Sequence, residues 1–353
     1  MNHTNKENNV MNKTLLIGAL LTAMSSSSYA IEVYNDTVNS LDIYGRAEGQ
    51  IATGKGSFTG DDTGARMTGR LGFLMGRQLS IIENTRIIGK FEWQLRTETN
   101  DTKLDAGEDL EARYNYIGFD NKTWGELIVG RTKNPMYQVM KITDKYKNYT
   151  PNIYNYGISS IDTSYTYNRQ DSTLQWNSHI DKHQFQVAYV MGNGENGRLD
   201  YGIMGSYYTH VKIDQVKITP TFAASQFKRN DDNTDTTRKE HNQAMAGLEV
   251  AWQQFTFGVT ADYTNIKQNN GEDKYFGLDS IASYQWQKFK LLGGYSFLEE
   301  RDQDIYEKED WRIEGQLTLA KKTYLSLTYD KELAASNKKT NNDAITLGLR
   351  YDF

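Results

Sequence analysis

The chain has no cysteine, only three prolines and five histidines in 353 residues, and no apolar run long enough to cross a bilayer as a helix. Each absence excludes something. Without cysteine no disulfide framework and no thiolate metal site can form. The few histidines leave little material for a Ser-His or His-carboxylate hydrolase centre. A spanning helix needs about 20 consecutive apolar residues, and the nearest approach is Leu15-Leu-Ile-Gly-Ala-Leu-Leu-Thr-Ala-Met24. With Lys13 before it and Ser28 and Ala30 at the −3 and −1 positions of a cut, that run is expected to be an export signal, residues 1–30, with Met11 a possible start. The charge balance of −5 and the absence of a basic patch argue against a nucleic-acid partner. Mean hydropathy of −0.71 would class the remainder as water-soluble if helices were the only way through a membrane.

What is present is alternation. The final residues, Ala344 to Phe353, place Ile345, Leu347, Leu349, Tyr351 and Phe353 on one face of a strand and Ala344, Thr346, Gly348, Arg350 and Asp352 on the other. About ten residues with one apolar face is the length and pattern of a transmembrane β-strand. Similar runs recur down the chain. Short connections are expected near 78–84, 120–123, 181–182, 212–214, 253–254, 287–288 and 321–322. Long polar ones are expected near 52–65, 97–110, 132–160, 192–200, 228–242, 267–274, 300–309 and 332–342. The two classes alternate strictly, which predicts an all-β, 16-stranded antiparallel up-and-down barrel over residues 31–353 with both termini on the short-turn side. Two runs, 161–167 and 173–180, are reconciled with that count as one strand with a kink or bulge near 169–171.

Individual strands assign the faces. Leu41, Ile43, Gly45, Ala47, Gly49 and Ile51 form an outward set against Asp42, Tyr44, Arg46, Glu48 and Gln50. In the next clear case Ile87, Gly89, Phe91, Trp93 and Leu95 oppose Ile88, Lys90, Glu92, Gln94 and Arg96. Sixteen strands enclose an aqueous lumen, so a charged inner face predicts a channel. The prolines, Pro135, Pro151 and Pro220, are expected in loops or near a strand end.

Leu41-Asp-Ile-Tyr-Gly-Arg46, Gly69-Arg-Leu-Gly-Phe73, Gly118-Phe119 with Trp124-Gly125, Val129-Gly-Arg131 and Leu349-Arg-Tyr-Asp-Phe353 occur in the order and spacing of the general trimeric porins of the Gram-negative outer membrane, which the chain resembles over its length. The resemblance implies a homotrimer and a third long loop folded into the pore as a charged constriction. It matches Arg46, Arg70 and Arg113 to the basic wall, with Arg66 on the same face as Arg70, and Asp144 to the first acid of the loop. Tyr351 and Phe353 match the terminal signal read during barrel insertion.

The chain departs from the pattern in the loop. Lys147-Asn148-Tyr149-Thr150 stands where a second acid is usual, and Thr166 where a further wall arginine is common. Lys133, Lys141, Lys145 and Lys147 then face a single Asp144, so the constriction is expected to carry a weaker cross-field or a net positive sign. Tyr137 and Tyr146 are expected to anchor the loop by packing. The implied function is passive diffusion of small hydrophilic solutes and ions. The expected partners are further copies of the chain, outer-membrane lipid and lipopolysaccharide, and the barrel-assembly machinery, with no cofactor and no metal. A sugar-specific channel is the alternative. A barrel hydrolase is the remote one, since Ser178 and His179 in Asn177-Ser-His179 are adjacent on a strand and point to opposite faces.

Overall fold

The computed structural model describes residues 30–54, 63–98, 110–148, 168–178, 180–192, 199–230, 239–269, 271–301, 305–335 and 338–353. Nearly all of the expected export signal lies outside these residues, as do Pro151 and Thr166. The strands are β1 (Ile31–Asn35), β2 (Asn39–Thr53), β3 (Gly64–Gln78), β4 (Thr85–Glu98), β5 (Leu110–Asn121), β6 (Gly125–Lys133), β7 (Arg169–Asn177), β8 (His183–Met191), β9 (Leu199–Thr209), β10 (Val211–Ile213), β11 (Val216–Arg229), β12 (Glu240–Trp252), β13 (Phe255–Gln268), β14 (Gly271–Trp286), β15 (Phe289–Glu300), β16 (Ile305–Ala320), β17 (Thr323–Ala335) and β18 (Lys338–Asp352). Among the described residues one short helix, α1 (Tyr137–Met140), lies in the connection after β6.

These eighteen strands make sixteen staves. β9 and β10 are one stave in continuous register against β11, from Tyr208↔Thr221 to Val211↔Ile218. The interruption falls opposite Thr219 and Pro220, where proline has no N–H to give the ladder. β1 is an arm folded back onto the start of β2, Ile31↔Ile43 to Asn35↔Ser40, on the side where β18 has already ended. Nothing in the alternation announced it. Every stave pairs antiparallel with its neighbours, and β18 closes on β2 from Ile345↔Thr53 to Asp352↔Arg46. Closure leaves no open sheet edge for lipid to meet.

All seven short turns fall where the sequence places them, and each carries one left-handed residue: Asn84, Gly125, Asp181, Asp214, Gln253, Gln287 or Lys322. Except for the connection after β6, the long connections are shorter than expected because the staves run further. β13 and β14 are separated only by residues 269–270, and β17 and β18 by 336–337. Above the bilayer both faces of a strand meet water, so hydropathy stops alternating while the backbone ladder continues. The expected bulge is also present. Gly130 pairs with Thr173 but Thr132 with Gln170, and Ser172 takes φ 52°. Whether residues 161–167 extend β7 lies outside the described residues.

The faces follow the pattern read from sequence on β2 and β4. Ile51, Trp93 and Leu95 are exposed on the outside, while Glu48, Gln50, Lys90, Glu92 and Gln94 are buried inside. Outward rings gather near the short turns, as in the Trp252, Phe255 and Tyr284 stack with centroids 6.0 and 4.7 Å apart, suited to a membrane interface. The inner wall is not charged throughout, contrary to the expectation drawn from β2 and β4. On β8, β9 and β11–β15 its buried side chains include Ala188, Val190, Leu199, Met204, Ala223, Phe227, Met245, Ile266, Tyr275 and Leu298, one continuous apolar bed.

Candidate functional site

That bed explains where the connection after β6 goes. Met136, Val139 and Met140 of α1 sink into it, with Val139 wholly buried, and each such side chain stabilises the fold by roughly 1.5–3 kcal/mol. Because the bed is the face opposite the exposed Val187, Tyr189, Ile203 and Phe222, residues 134–148 lie inside the barrel. They follow the wall from stave to stave. Ile142 sits against Gly247 and Gly258 of β12 and β13, Tyr146 packs with Ile281 and Leu292 of β14 and β15, and Asn148 reaches β17, β18 and β2.

The far end of this segment is pinned by a residue that the sequence reading passed over. Glu314 of β16 is wholly buried, and its two oxygens accept the backbone N–H groups of Lys147 at 2.8 Å and Asn148 at 3.2 Å, with the Thr328 hydroxyl at 2.7 Å. Asn148 in turn donates to Thr328 Oγ1 at 3.0 Å and to the Thr346 carbonyl at 3.2 Å. Gly348 leaves the space it occupies, since a Cβ there would lie 2.1 Å from Asn148 Oδ1. The only sequence signal was Glu314 on an inward position, shared by many carboxylates. Hydrogen bonds to a charged group are worth about 1.5–3 kcal/mol each, so Glu314→Ala is expected to release the segment's end. Open-channel current noise in a planar bilayer should rise, and unchanged noise would show that the anchor lies elsewhere.

Across the lumen stands the basic wall. Arg46 bonds Asp352 at 2.8 Å and lies 3.6 Å from Glu48. Arg113 donates to Glu92 at 2.5 Å and to Gln94 at 3.0 Å. Arg70 donates to Gln94 Oε1 at 2.7 Å, and Arg66 donates to Gln50 Oε1 through Nε and Nη2 at 3.2 and 2.7 Å. Two basic groups absent from the expected wall join it. Lys90 lies 4.0 Å from the Tyr114 ring centre, and Arg169 is buried 4.8 Å from the same ring.

The lysines of the segment are held rather than dangling. Lys133 Nζ sits 3.1 Å from the centre of the Tyr137 ring, and the Tyr137 hydroxyl donates to Asp144 Oδ2 at 3.0 Å. Lys141 lies over Tyr208 at 4.2 Å, and Lys147 over Tyr324 at 4.2 Å. Lys145 forms an ion pair with Glu249 at 2.9 Å, so its charge is largely answered. Burial pushes the ammonium groups of Lys141 and Lys147 down to about 8. Ser178 is buried with its hydroxyl accepting the Phe185 N–H at 2.8 Å, while His179 lies outside the described residues.

Residues 18–353 match the family described as Gram-negative porin. The chain belongs to that family. It is 21% identical over 97% of its length, and 100% of the relative's, to the outer membrane porin protein OmpD of Citrobacter koseri. Among solved structures, it superposes on Salmonella typhi OmpF in complex with daunomycin with a TM-score of 0.75 at 17% identity, covering 92% of this chain and all of that one. It superposes on the trimer form of OmpT of Vibrio cholerae with a TM-score of 0.64 at 13% identity, covering 90% of this chain and all of that one. This porin is therefore a β-barrel channel of the outer membrane through which small solutes diffuse passively, its short turns facing the periplasm.

Proposed function

We propose that residues 134–148 and the wall carrying Arg46, Arg66, Arg70 and Arg113 form the constriction of this porin, and that its fixed charge gives weak selectivity with at most a slight anion preference. The observation that carries the reading is the inward path of the segment, from the apolar bed to the Glu314 anchor, opposite the arginines. Arg46 and Arg113 spend part of their charge on Asp352 and Glu92, and Lys145 on Glu249, so the net field is smaller than the count of lysines suggests. Residues 1–30 are its export signal, Tyr351 and Phe353 its insertion signal to the assembly machinery, and its working form is a homotrimer in lipid and lipopolysaccharide, as the solved Vibrio relative is a trimer.

General diffusion is favoured over a sugar-specific path. A sugar slide needs a row of open aromatic faces, whereas the inward rings Tyr114, Tyr208 and Tyr324 are each covered by a lysine or arginine. Among the described residues the Ser178 hydroxyl is buried and accepts a main-chain amide.

The pH dependence of selectivity tests the reading. A free lysine titrates near 10.4, whereas Lys141 and Lys147 lose their protons near 8. Raising pH from 6.5 to 9 therefore removes positive charge from the constriction, and relative cation permeability is expected to rise by about twofold. The Lys141→Gln/Lys147→Gln double variant should show a shallower profile than wild type. A wild-type reversal potential that does not move over this range would take the segment out of the constriction.

A further inference from the structure

Where the barrel closes, the anchored end of the segment meets the arginine wall. Arg350 and Asp352 lie on the inward face of β18, alternating with the exposed Leu349 and Tyr351. Across the seam β18 pairs with β2, placing Arg350 opposite Glu48 and Asp352 opposite Arg46. On its other side Arg350 pairs with Tyr324 of β17, and the Lys147 ammonium stands 4.2 Å from the centre of that ring. Three bases and two acids are thus gathered on three consecutive staves.

Asp352 is the hub of the group. Its Oδ1 accepts from Arg46 Nε at 2.8 Å, and its two oxygens accept from Arg350 Nε at 3.1 and 2.9 Å. On the arginine wall Glu92 takes one guanidinium, Arg113, whereas Asp352 takes two. Glu48 lies further off, 3.6 Å from Arg46 Nη1, and accepts from the Gln50 amide at 2.8 Å. The side chains of Arg46 and Arg350 are 18% and 16% exposed and that of Asp352 only 8%, so the lumen meets the bases and the acid lies behind them. The Lys147 ammonium feels the same group, since burial and then the charge of Arg350 push it down to about 8. The segment therefore ends in a base beside a wall that already carries two, and one shared carboxylate decides how much of that charge a passing ion meets.

We propose that Asp352 is a selectivity-determining residue of this channel, clamping Arg46 and Arg350 at the seam and limiting the positive charge that they form with Lys147. With Asp352 ionised and Lys147 protonated the five groups sum to one positive charge, and without the Asp352 charge to two. The acid acts at short range, where the attraction between fixed charges and a permeating ion is least weakened by salt. Arg350 thereby joins the basic wall as its member on β18, and the acid that keeps the wall from being strongly anion-attracting stands on the barrel itself rather than on the segment. The inference rests on the constriction reading for the place of the segment, and adds to it the residues that set the charge at the seam.

The test is the zero-current potential of the whole porin in a planar bilayer under a low-salt gradient. Asp352→Asn keeps an acceptor for the guanidiniums and removes the charge, so the anion-to-cation permeability ratio is expected to rise about threefold. Arg350→Gln should lower the ratio by a similar factor. Arg350→Gln/Asp352→Asn removes one charge of each sign and should return the ratio to within about 1.5-fold of wild type. Loss of a purely structural staple would not be undone by a second substitution at the same seam. If Asp352→Asn keeps the wild-type potential while Arg70→Gln/Arg113→Gln moves it, the proposal is wrong and the constriction stands. A double variant that stays shifted like Asp352→Asn overturns the proposal as well. If no variant of either set moves the potential, both readings fall. Asp352 lies between the two aromatics of the proposed insertion signal. Should Asp352→Asn give no assembled band on an unheated gel, Arg350→Gln alone decides, and an unchanged ratio there overturns the proposal.

Discussion

Neutralising Arg70 and Arg113 together should move the zero-current potential in a salt gradient toward cations, and Asp144→Asn should move it toward anions. The arginine change acts twice. It removes two positive charges from the wall, and it releases Glu92, which Arg113 holds at 2.5 Å, to act more strongly as a negative charge beside the path. A unit charge 8–10 Å from a permeating ion in water contributes about 0.4–0.5 kcal/mol, about twofold in local concentration. Because cations gain as anions lose, each charge changes the permeability ratio by up to about fourfold at low salt, and by less at physiological ionic strength, where the screening length is about 8 Å.

The Asp144 change should be the smaller of the two. Its carboxylate already accepts from the Tyr137 hydroxyl at 3.0 Å, and Lys133 lies against the same ring. Asparagine keeps an acceptor for Tyr137 and removes the charge, so a shift would report charge rather than collapse of the segment. Coincident reversal potentials for Asp144→Asn and wild type would mean that this stretch does not line the narrowest part of the pore.

Deleting Phe353 should sharply reduce the porin assembled in the outer membrane, whereas Thr346→Ser on the same strand should leave it near wild type. Two contributions add. The backbone of Phe353 closes the seam of the barrel, donating to the Gly45 carbonyl at 3.0 Å and accepting the Gly45 N–H at 3.1 Å, which the deletion loses at about 1–3 kcal/mol in total. The ring is also the terminal aromatic of the proposed insertion signal, next to Tyr351 at 6.0 Å.

Gly45→Ala separates these roles. A Cβ at Gly45 would lie 2.3 Å from Phe353 Cζ and 2.5 Å from the Arg70 carbonyl oxygen. The ring can turn away, but the carbonyl belongs to the ladder and cannot. That variant should insert with its signal intact yet lose its unheated, folded mobility at a lower temperature than wild type. Equal amounts of heat-modifiable protein for the deletion and the wild type would remove Phe353 from both roles.

The architecture was largely written in the sequence because a barrel wall is a local code. Outward and inward residues alternate with period 2, and the turns at Asp181-Lys182, Gln253-Gln254, Gln287-Lys288 and Lys321-Lys322 interrupt that alternation where the chain reverses. Sixteen staves, their order and the charged face of β2 and β4 follow from those two signals. The resemblance then pointed to the arginines and to Asp144 as candidates. Tertiary structure decided what depends on side chains meeting from distant staves. The arm β1, five residues against the first residues of β2, is too short for a pattern. The apolar bed on β8 to β15 was hidden because inward Ala188, Ala223 and Phe227 stand beside outward residues that are also apolar, so alternation fades where both faces are dry. The pairing of Lys145 with Glu249, and of Glu314 with the amides of Lys147 and Asn148, joins residues about a hundred or more positions apart. Period and composition specify the face a residue takes, but the partner it finds there is fixed only when the staves close into a ring.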